Sequence, residues 1–164
     1  MRTLRRISTV TLLALTAAAS TAAAKPAVSK TGQVQVDLPD AWNAAAQGDT
    51  LLIAGDKNKE VVVVFMVLPE QETDKALAAL EAKLGKDIKN EKWNAAQAVS
   101  LNGLSGASID GTADVKGKPC AVAAMVLHTP NKHDVVVFGA VQSAKEAAHH
   151  DELVGILKSL RPLK

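Results

Sequence analysis

The stretch EVVVVFMVLP, residues 60–69, carries an unbroken run of large apolar side chains from Val61 to Leu68 and ends at a proline. Successive side chains of a β-strand point to opposite faces of the sheet. One face therefore receives the odd-numbered residues of the run and the other face receives the even-numbered residues, and both sets are apolar. We predict a strand that is buried on both faces, with Val63 and Phe65 in the middle of the sheet.

Two later segments have the same character. Residues 135–141, which include Val137, are apolar on both faces, and residues 120–127 are nearly so. Such runs are typical of parallel sheets with helices on both sides. However, only the short turn PNKH at residues 130–133 separates the two predicted strands, whereas a parallel crossover needs about a dozen residues or more. The sequence therefore predicts an antiparallel sheet with both faces covered.

Two helical segments are available to cover these faces. Residues 70–85 have Thr73 as a candidate N-cap and an apolar stripe formed by Leu77, Leu80 and Leu84. Residues 143–160 have a second stripe that begins at Leu153, and Pro162 ends this segment. The predicted fold class is α+β, an antiparallel β-sheet covered by helices on both faces.

The N-terminal segment has the three parts of a secretory signal peptide. Arg2, Arg5 and Arg6 precede an apolar run at residues 7–19, and small residues at 22–24 precede a candidate cleavage site. The apolar run is shorter than the roughly 20 residues of a membrane-spanning helix. We predict a signal peptide at residues 1–24 and a periplasmic or secreted protein without a transmembrane span in the mature chain. The choice between Sec and twin-arginine export stays open.

The rest of the chain predicts a single domain. Residues 25–32 are predicted to form a flexible lead-in, and residues 33–164 a single domain, because no internal repeat or long linker divides them. Without the first 24 residues, 16 basic residues face 17 acidic ones, a net charge of −1. This balance, together with two Trp, two Phe and no Tyr, argues against nucleic acid as a partner.

Three stretches carry a resemblance to a known family. They are VDLPDAW at residues 36–42, VSLNGLSGASIDGTADVKGKP at 99–119 and ILKSLRP at 156–162. In this order of strands, helix, strand meander and terminal helix, the chain resembles the PsbP-like family of α/β/α sandwiches, which includes bacterial exported proteins of the DcrB-like group. The resemblance implies a non-enzymatic binding or accessory role. It carries over no catalytic residue, because these stretches mark turns and the ends of strands and helices and contain no catalytic motif.

The segment KEAAHHDEL, residues 145–153, is the most reactive-looking part of the chain. His149 and His150 are adjacent, so on a helix they point about 100° apart and cannot easily share one ion. Pairs with suitable helical spacing are Glu146 with His149 or His150, and His149 with Glu152. His149 borders the predicted apolar stripe, whereas His150 and Asp151 face water. We interpret the segment as a solvated helix face.

A second candidate metal site flanks the turn HTPNKHD, residues 128–134. Across a hairpin His128 and His133 can approach each other beside Asp134, a set that would suit zinc or another divalent cation. Polar residues are also common in hairpin turns because of backbone geometry. We therefore predict no metal residue here, and no cofactor.

Three further motifs are rejected as reactive sites. Residues 103–107, GLSGA, lack the last glycine of a nucleophile elbow and precede a strand instead of a helix. Residues 56–60, DKNKE, lack the glycine and the distal glutamate of a calcium loop, and are interpreted as a turn. Cys120, the only cysteine, lies among apolar residues and is interpreted as a core side chain.

The sequence thus predicts no catalytic, cofactor-binding or metal-binding residue. The predicted function is an exported, soluble, non-catalytic binding or accessory protein of the bacterial cell envelope. Its partner would be another envelope protein or a small ligand. Two alternatives remain open: a metal-binding protein that uses His128 and His133 or His149 and His150, and an enzyme whose site is assembled from residues distant in sequence.

Overall fold

The computed structural model of the protein describes residues 24–70 and 72–164. Residues 1–23 of the predicted signal peptide lie outside these described residues, and Ala24 is the first residue of β1. In chain order the elements are β1 (Ala24–Ser29), β2 (Val34–Pro39), β3 (Asn43–Gln47), β4 (Leu51–Gly55), β5 (Val61–Pro69), α1 (Thr73–Leu84), β6 (Ile88–Trp93), β7 (Gln97–Leu101), β8 (Leu104–Val115), β9 (Lys118–His128), β10 (His133–Gln142), a 3-10 turn (Ser143–Lys145), α2 (Glu146–Ser159) and β11 (Arg161–Pro162).

Most of these strands form one large antiparallel sheet. Its order is β3-β4-β5-β10-β9-β8-β6, and β7 pairs with the other half of β8. The double-sided strand β5 lies between β4 and β10, with Phe65 opposite Val137 and Val63 opposite Gly139. Every pairing in this sheet is antiparallel, as predicted from the short connections.

The two faces of β5 belong to two separate cores. The odd-numbered face packs into a cluster with Trp42, Ile156 and Leu160, so this core lies under α2. The even-numbered face packs into a cluster with Ala76 and Leu80, so this core lies under α1. The predicted α+β fold, with a helix on each face of an antiparallel sheet, is confirmed, and Val63, Phe65 and Val137 are buried as predicted.

A small second sheet completes the cover on the α2 side. β2 lies between β1 and β11, and both neighbours are antiparallel to it. Val34, Val36 and Leu38 alternate inward from β2 and join the core under α2. Arg161 ties the C-terminal segment to β2, because its Nη1 donates to Oδ2 of Asp37 at 2.9 Å.

Several local expectations differ from the structure. Residues 25–32 were expected to form a flexible lead-in, but residues 24–29 form β1 because β2 offers them a free edge for hydrogen bonds. Thr73 is the first helical residue of α1, and Glu72 occupies the N-cap position without a side-chain cap. The chain is irregular between β6 and β7, where the backbone N–H of Asn94 donates to the Asp110 carbonyl at 2.8 Å.

Candidate functional site

His149 lies at the centre of a hydrogen-bonded network between α2 and the large sheet. Its Nδ1 lies 3.0 Å from Oε2 of Glu152, one turn along α2, and its Nε2 lies 3.2 Å from Oε2 of Glu60, which precedes β5. Lys145 binds the other oxygen of Glu60 at 3.0 Å. The side chain of His149 is only 14% exposed. The predicted His149–Glu152 pair is therefore present, and His149 borders the core as predicted, whereas Glu152 is 33% exposed.

The charges of this network shift the pKa values of its members. The hydrogen bond to Glu152 raises the pKa of His149 above its usual value, with a further contribution from Glu60, and partial burial opposes this only in part. Lys145 and His149 lower the pKa of Glu60 through their hydrogen bonds to it. A protonated imidazole donates from both ring nitrogens, which matches a position between two carboxylates.

Asp56 fixes the turn that places Glu60. Its Oδ1 accepts hydrogen bonds from the backbone N–H groups of Glu60 and Val61, at 2.7 and 2.9 Å, and its Oδ2 accepts from Asn58 at 2.8 Å. These bonds explain why residues 56–60 form a turn between β4 and β5, as predicted, and they hold the pKa of Asp56 below its usual value against the opposing effect of burial.

Asp56, Glu60 and His149 also form the one group of possible metal ligands found in residues 24–70 and 72–164. One ligand atom from each lies within 4.8 Å of the others. A nitrogen and two carboxylate oxygens are ligands that several divalent cations accept. Yet each group already has partners: Asp56 holds three backbone N–H groups, Glu60 holds Lys145, and His149 bridges two carboxylates. A cation would have to displace the proton of His149.

The other histidines do not converge. His128 lies opposite Asp134 in the β9–β10 pairing, and its Nδ1 is 2.7 Å from Oδ1 of this fully buried aspartate. His133 precedes Asp134 in the strand, so its side chain projects from the opposite face, and its Nδ1 lies 3.1 Å from the carbonyl of Asn131. His128 and His133 therefore lie on opposite faces and do not form the pair beside Asp134 that the sequence allowed. His150 is mainly solvent-exposed, as predicted.

The remaining motifs have the structural roles predicted for them. Residues 103–107 form the turn into β8 and the start of that strand, with Gly103 at a positive φ of 86°. Cys120 is buried in the core under α1, and burial raises the pKa of its thiol. A raised pKa leaves the thiol protonated at neutral pH, so it is a poor nucleophile.

A groove on the α1 side of the large sheet was not predicted from the sequence. α1 covers only part of this face, and beyond it the turns β4–β5 and β8–β9 lie at the same end of the sheet. Between these turns is a cavity of about 610 Å³. We call it the lysine-rimmed groove, because Lys59, Lys116 and Lys118 stand at its edge. Its other lining includes Ala45, Ile53, Gly55, Val62, Val115, Cys120, Ala140 and Gln142.

The sequence held one signal for this groove. Lys59 and Lys116 both occupy turn positions with positive φ, at 58° and 51°, next to Glu60 and Gly117. Their side chains meet at one end of the sheet only because β4, β5, β8 and β9 are antiparallel, which brings the two turns to the same edge. The sequence predicted the turn at residues 56–60, but it indicated no role for Lys59 or Lys116.

The fold is PsbP-like. PsbP (CyanoP) from Synechocystis sp. PCC 6803 superimposes with a TM-score of 0.63 at 10% identity, over 88% of this chain and 95% of that one. LpqN of Mycobacterium tuberculosis, described as involved in cell envelope biogenesis, gives a TM-score of 0.54 at 16% identity, over 80% of this chain and 83% of that one. At these identities the likeness concerns the fold alone.

A Pseudomonas aeruginosa protein of unknown function has the same fold. It gives a TM-score of 0.50 at 12% identity and covers 86% of this chain and 98% of that one. No protein-family model matches the sequence, and no curated protein matches it. Among the described residues, no helix has the length and apolar character that crossing a membrane requires.

Proposed function

We propose that the protein is an exported, soluble accessory protein that binds another component of the cell envelope and catalyses no reaction itself. The observation that carries this proposal is that the lysine-rimmed groove is lined by no imidazole and by no unengaged carboxylate. His149 lies on α2, whereas the groove lies on the α1 side of the sheet. Asp56 and Glu60 line the groove, but their carboxylates are engaged by backbone N–H groups and by Lys145.

Two further observations support an envelope role. The sequence at residues 1–24 has the charge and hydropathy pattern of a signal peptide. The structural neighbour LpqN is described as involved in cell envelope biogenesis, and the present chain shares its fold over most of its length. An accessory role also agrees with a mature surface whose net charge is close to zero, since such a surface has no general attraction to nucleic acid.

The location is tested by fractionation of native cells that express the full chain. The expected result is release of the protein with the periplasmic or extracellular fraction and an N-terminus near Lys25. A point variant with Arg inserted into the apolar run, Leu13→Arg, serves as the control, because a charge there should prevent export and leave the N-terminal segment attached. Recovery of wild-type protein from the cytoplasm with the N-terminal segment intact would refute the proposal.

Metal binding is a second candidate function, favoured by the convergence of Asp56, Glu60 and His149. It differs from the histidine pairs considered from the sequence, because only His149 of the four histidines takes part. The network explains the same geometry without a cation, since every member has a hydrogen-bonding partner. A hydrogen-bonded structural network and a metal site predict different results when zinc is titrated into the protein.

A further inference from the structure

The lysine-rimmed groove has an apolar floor built from five neighbouring strands. Side chains that face α1 alternate along each strand, and at this end of the sheet they are small or aliphatic. They are Ala45 of β3, Ile53 and Gly55 of β4, Val62 of β5, Ala140 of β10 and Cys120 of β9. Ile53 and Val115 line the same cavity as these small side chains. A volume of about 610 Å³ lies within the roughly 300–1,000 Å³ of small-molecule sites.

The rim of the groove has an excess of positive charge. Lys59 and Lys118 are exposed, and neither side chain enters an ion pair with the described residues. Lys116 pairs with Asp87 at 3.6 Å, but the two side chains are 74% and 56% exposed, so the pair is weak and easily exchanged for another anion.

The acidic groups near the groove do not cancel this charge. The carboxylate of Asp56 accepts three backbone N–H groups, and that of Glu60 binds Lys145 and His149. Asp114 accepts a hydrogen bond from the side chain of Asn90 at 2.6 Å and belongs to the opposite face of β8. An anion that enters the groove therefore meets Lys59 and Lys118, which have no ion-pair partner among the described residues, beside a Glu60 that Lys145 and His149 balance. Asp56 keeps its negative charge, but its oxygens face backbone N–H groups and the three lysines outnumber it.

We propose that the lysine-rimmed groove binds an anionic amphiphile, a single molecule with an alkyl chain and an anionic head. The alkyl chain lies on the floor over Val62 and Ala140, where it removes exposed apolar surface from water. The head group contacts Lys59 and Lys118, with Lys116 available once its pair with Asp87 opens. This inference names the ligand class for the binding role proposed above, but binding does not depend on export, so the two proposals fail in separate experiments.

The probe is dodecanoate below its micellar concentration, titrated into the folded protein by calorimetry. We expect saturable one-to-one binding that weakens with added salt, since the rim contacts are exposed charges. Lys59→Gln combined with Lys118→Gln should weaken binding about tenfold, because two exposed ionic contacts are lost. Ala45→Phe, a change at an exposed position of β3, should fill the groove and abolish binding.

The matched control removes the same charge elsewhere. Lys83→Gln combined with Lys158→Gln alters two exposed lysines that do not line the groove, so dodecanoate affinity should not change. Equal weakening in this control pair would show general electrostatic attraction and overturn the proposal. Thermal unfolding checks that each variant folds, and if Ala45→Phe does not, the comparison of the two lysine pairs decides.

Two further titrations and one sedimentation experiment distinguish the sources of binding. Acetate tests the head group alone, and binding equal to that of dodecanoate would reduce the groove to an anion site. Dodecyl maltoside tests the tail with a neutral head, and equal binding would overturn the role of the lysines. Sedimentation with phosphatidylglycerol vesicles, in the absence of dodecanoate binding, would show a membrane-docking surface and overturn the proposal of a bound single molecule.

Discussion

Nε1 of Trp42 donates a hydrogen bond of 2.9 Å to Oε1 of Glu152, and so joins the turn after β2 to the middle of α2. The other oxygen of Glu152 contacts Nδ1 of His149, whose Nε2 reaches Glu60 before β5. A buried aromatic ring and three polar side chains thus connect three separate segments. These hydrogen bonds and ion pairs hold α2 against the sheet. We therefore call the His149 network a structural lock.

The first prediction concerns the pH dependence of this lock. Because the folded pKa of His149 is raised, its contribution to stability is complete below about pH 6.5 and is lost as pH rises through the folded pKa. The charged groups that face it are Glu60 and Glu152, with Asp56 and Lys145 beside Glu60. We expect wild type to lose free energy of unfolding between pH 6 and pH 9 by urea denaturation, and His149→Gln to lose less over the same range.

His150→Gln is the control for this experiment. His150 is adjacent in sequence, but its side chain is 66% exposed and its contact is with the exposed Asp151. Its replacement should leave the pH dependence of wild type unchanged. Identical pH profiles for wild type and His149→Gln would show that protonation of His149 does not contribute to the free energy of unfolding.

The second prediction concerns the core under α2. Phe65→Ala should lower the free energy of unfolding by about 3–5 kcal/mol, the usual cost of emptying a site that held a buried aromatic ring. Phe65 is 6% exposed and lies between Leu52 and Val137 in the pairing of β4, β5 and β10. Val28→Ala, at a position that is 49% exposed, should change it by no more than about 0.5 kcal/mol. A loss below about 1 kcal/mol for Phe65→Ala would contradict burial of the face of β5 that lies under α2.

The elements that the sequence predicted well are those with strong patterning. β5 and β10 are apolar on both faces, and the two faces of each strand pack into the two different cores. β1 and β3 have no such pattern: AKPAVS contains a proline, and NAAAQ is exposed throughout. They are strands because β2 and β4 each offer a free edge, which is a property of the assembled sheet.

The contacts of the candidate site were also predictable only where both residues belong to one element. His149 and Glu152 are three residues apart on one helix, and helical spacing alone predicted their contact. Glu60 lies 89 positions away, and its contact with His149 depends on how α2 packs against the sheet. The grouping of Lys59 with Lys116 and Lys118 depends on strand order in the same manner. Periodicity identifies faces of elements, whereas contacts between elements require the topology.

The third prediction concerns two glycines in β8 and β10, the strands on either side of β9. A Cβ at Gly106 of β8 would overlap the backbone carbonyl of Val126 in β9, and a backbone atom cannot move aside as a side chain can. Gly106→Ala should therefore cost roughly 1–3 kcal/mol, as overpacked sites do. Gly139→Ala in β10 meets no heavy atom within 4 Å, so it should be neutral or stabilise by up to about 1 kcal/mol. Chemical denaturation of both variants measures the contrast, and equal effects would contradict the close approach of β8 and β9.

The last prediction concerns zinc at the His149 network. In this network Glu60 holds Lys145, Asp56 holds three backbone N–H groups, and His149 has a raised pKa, so a cation must compete with a proton and with existing hydrogen bonds. We expect calorimetric titration at neutral pH to show no submicromolar one-to-one binding, and any weak binding to strengthen as pH rises. The comparison is with His149→Ala combined with His150→Ala, which removes both histidines of α2, and with His150→Ala alone, which leaves Asp56, Glu60 and His149 intact. Submicromolar binding that vanished in the double variant but persisted in His150→Ala would replace the structural lock with a metal centre at these three residues.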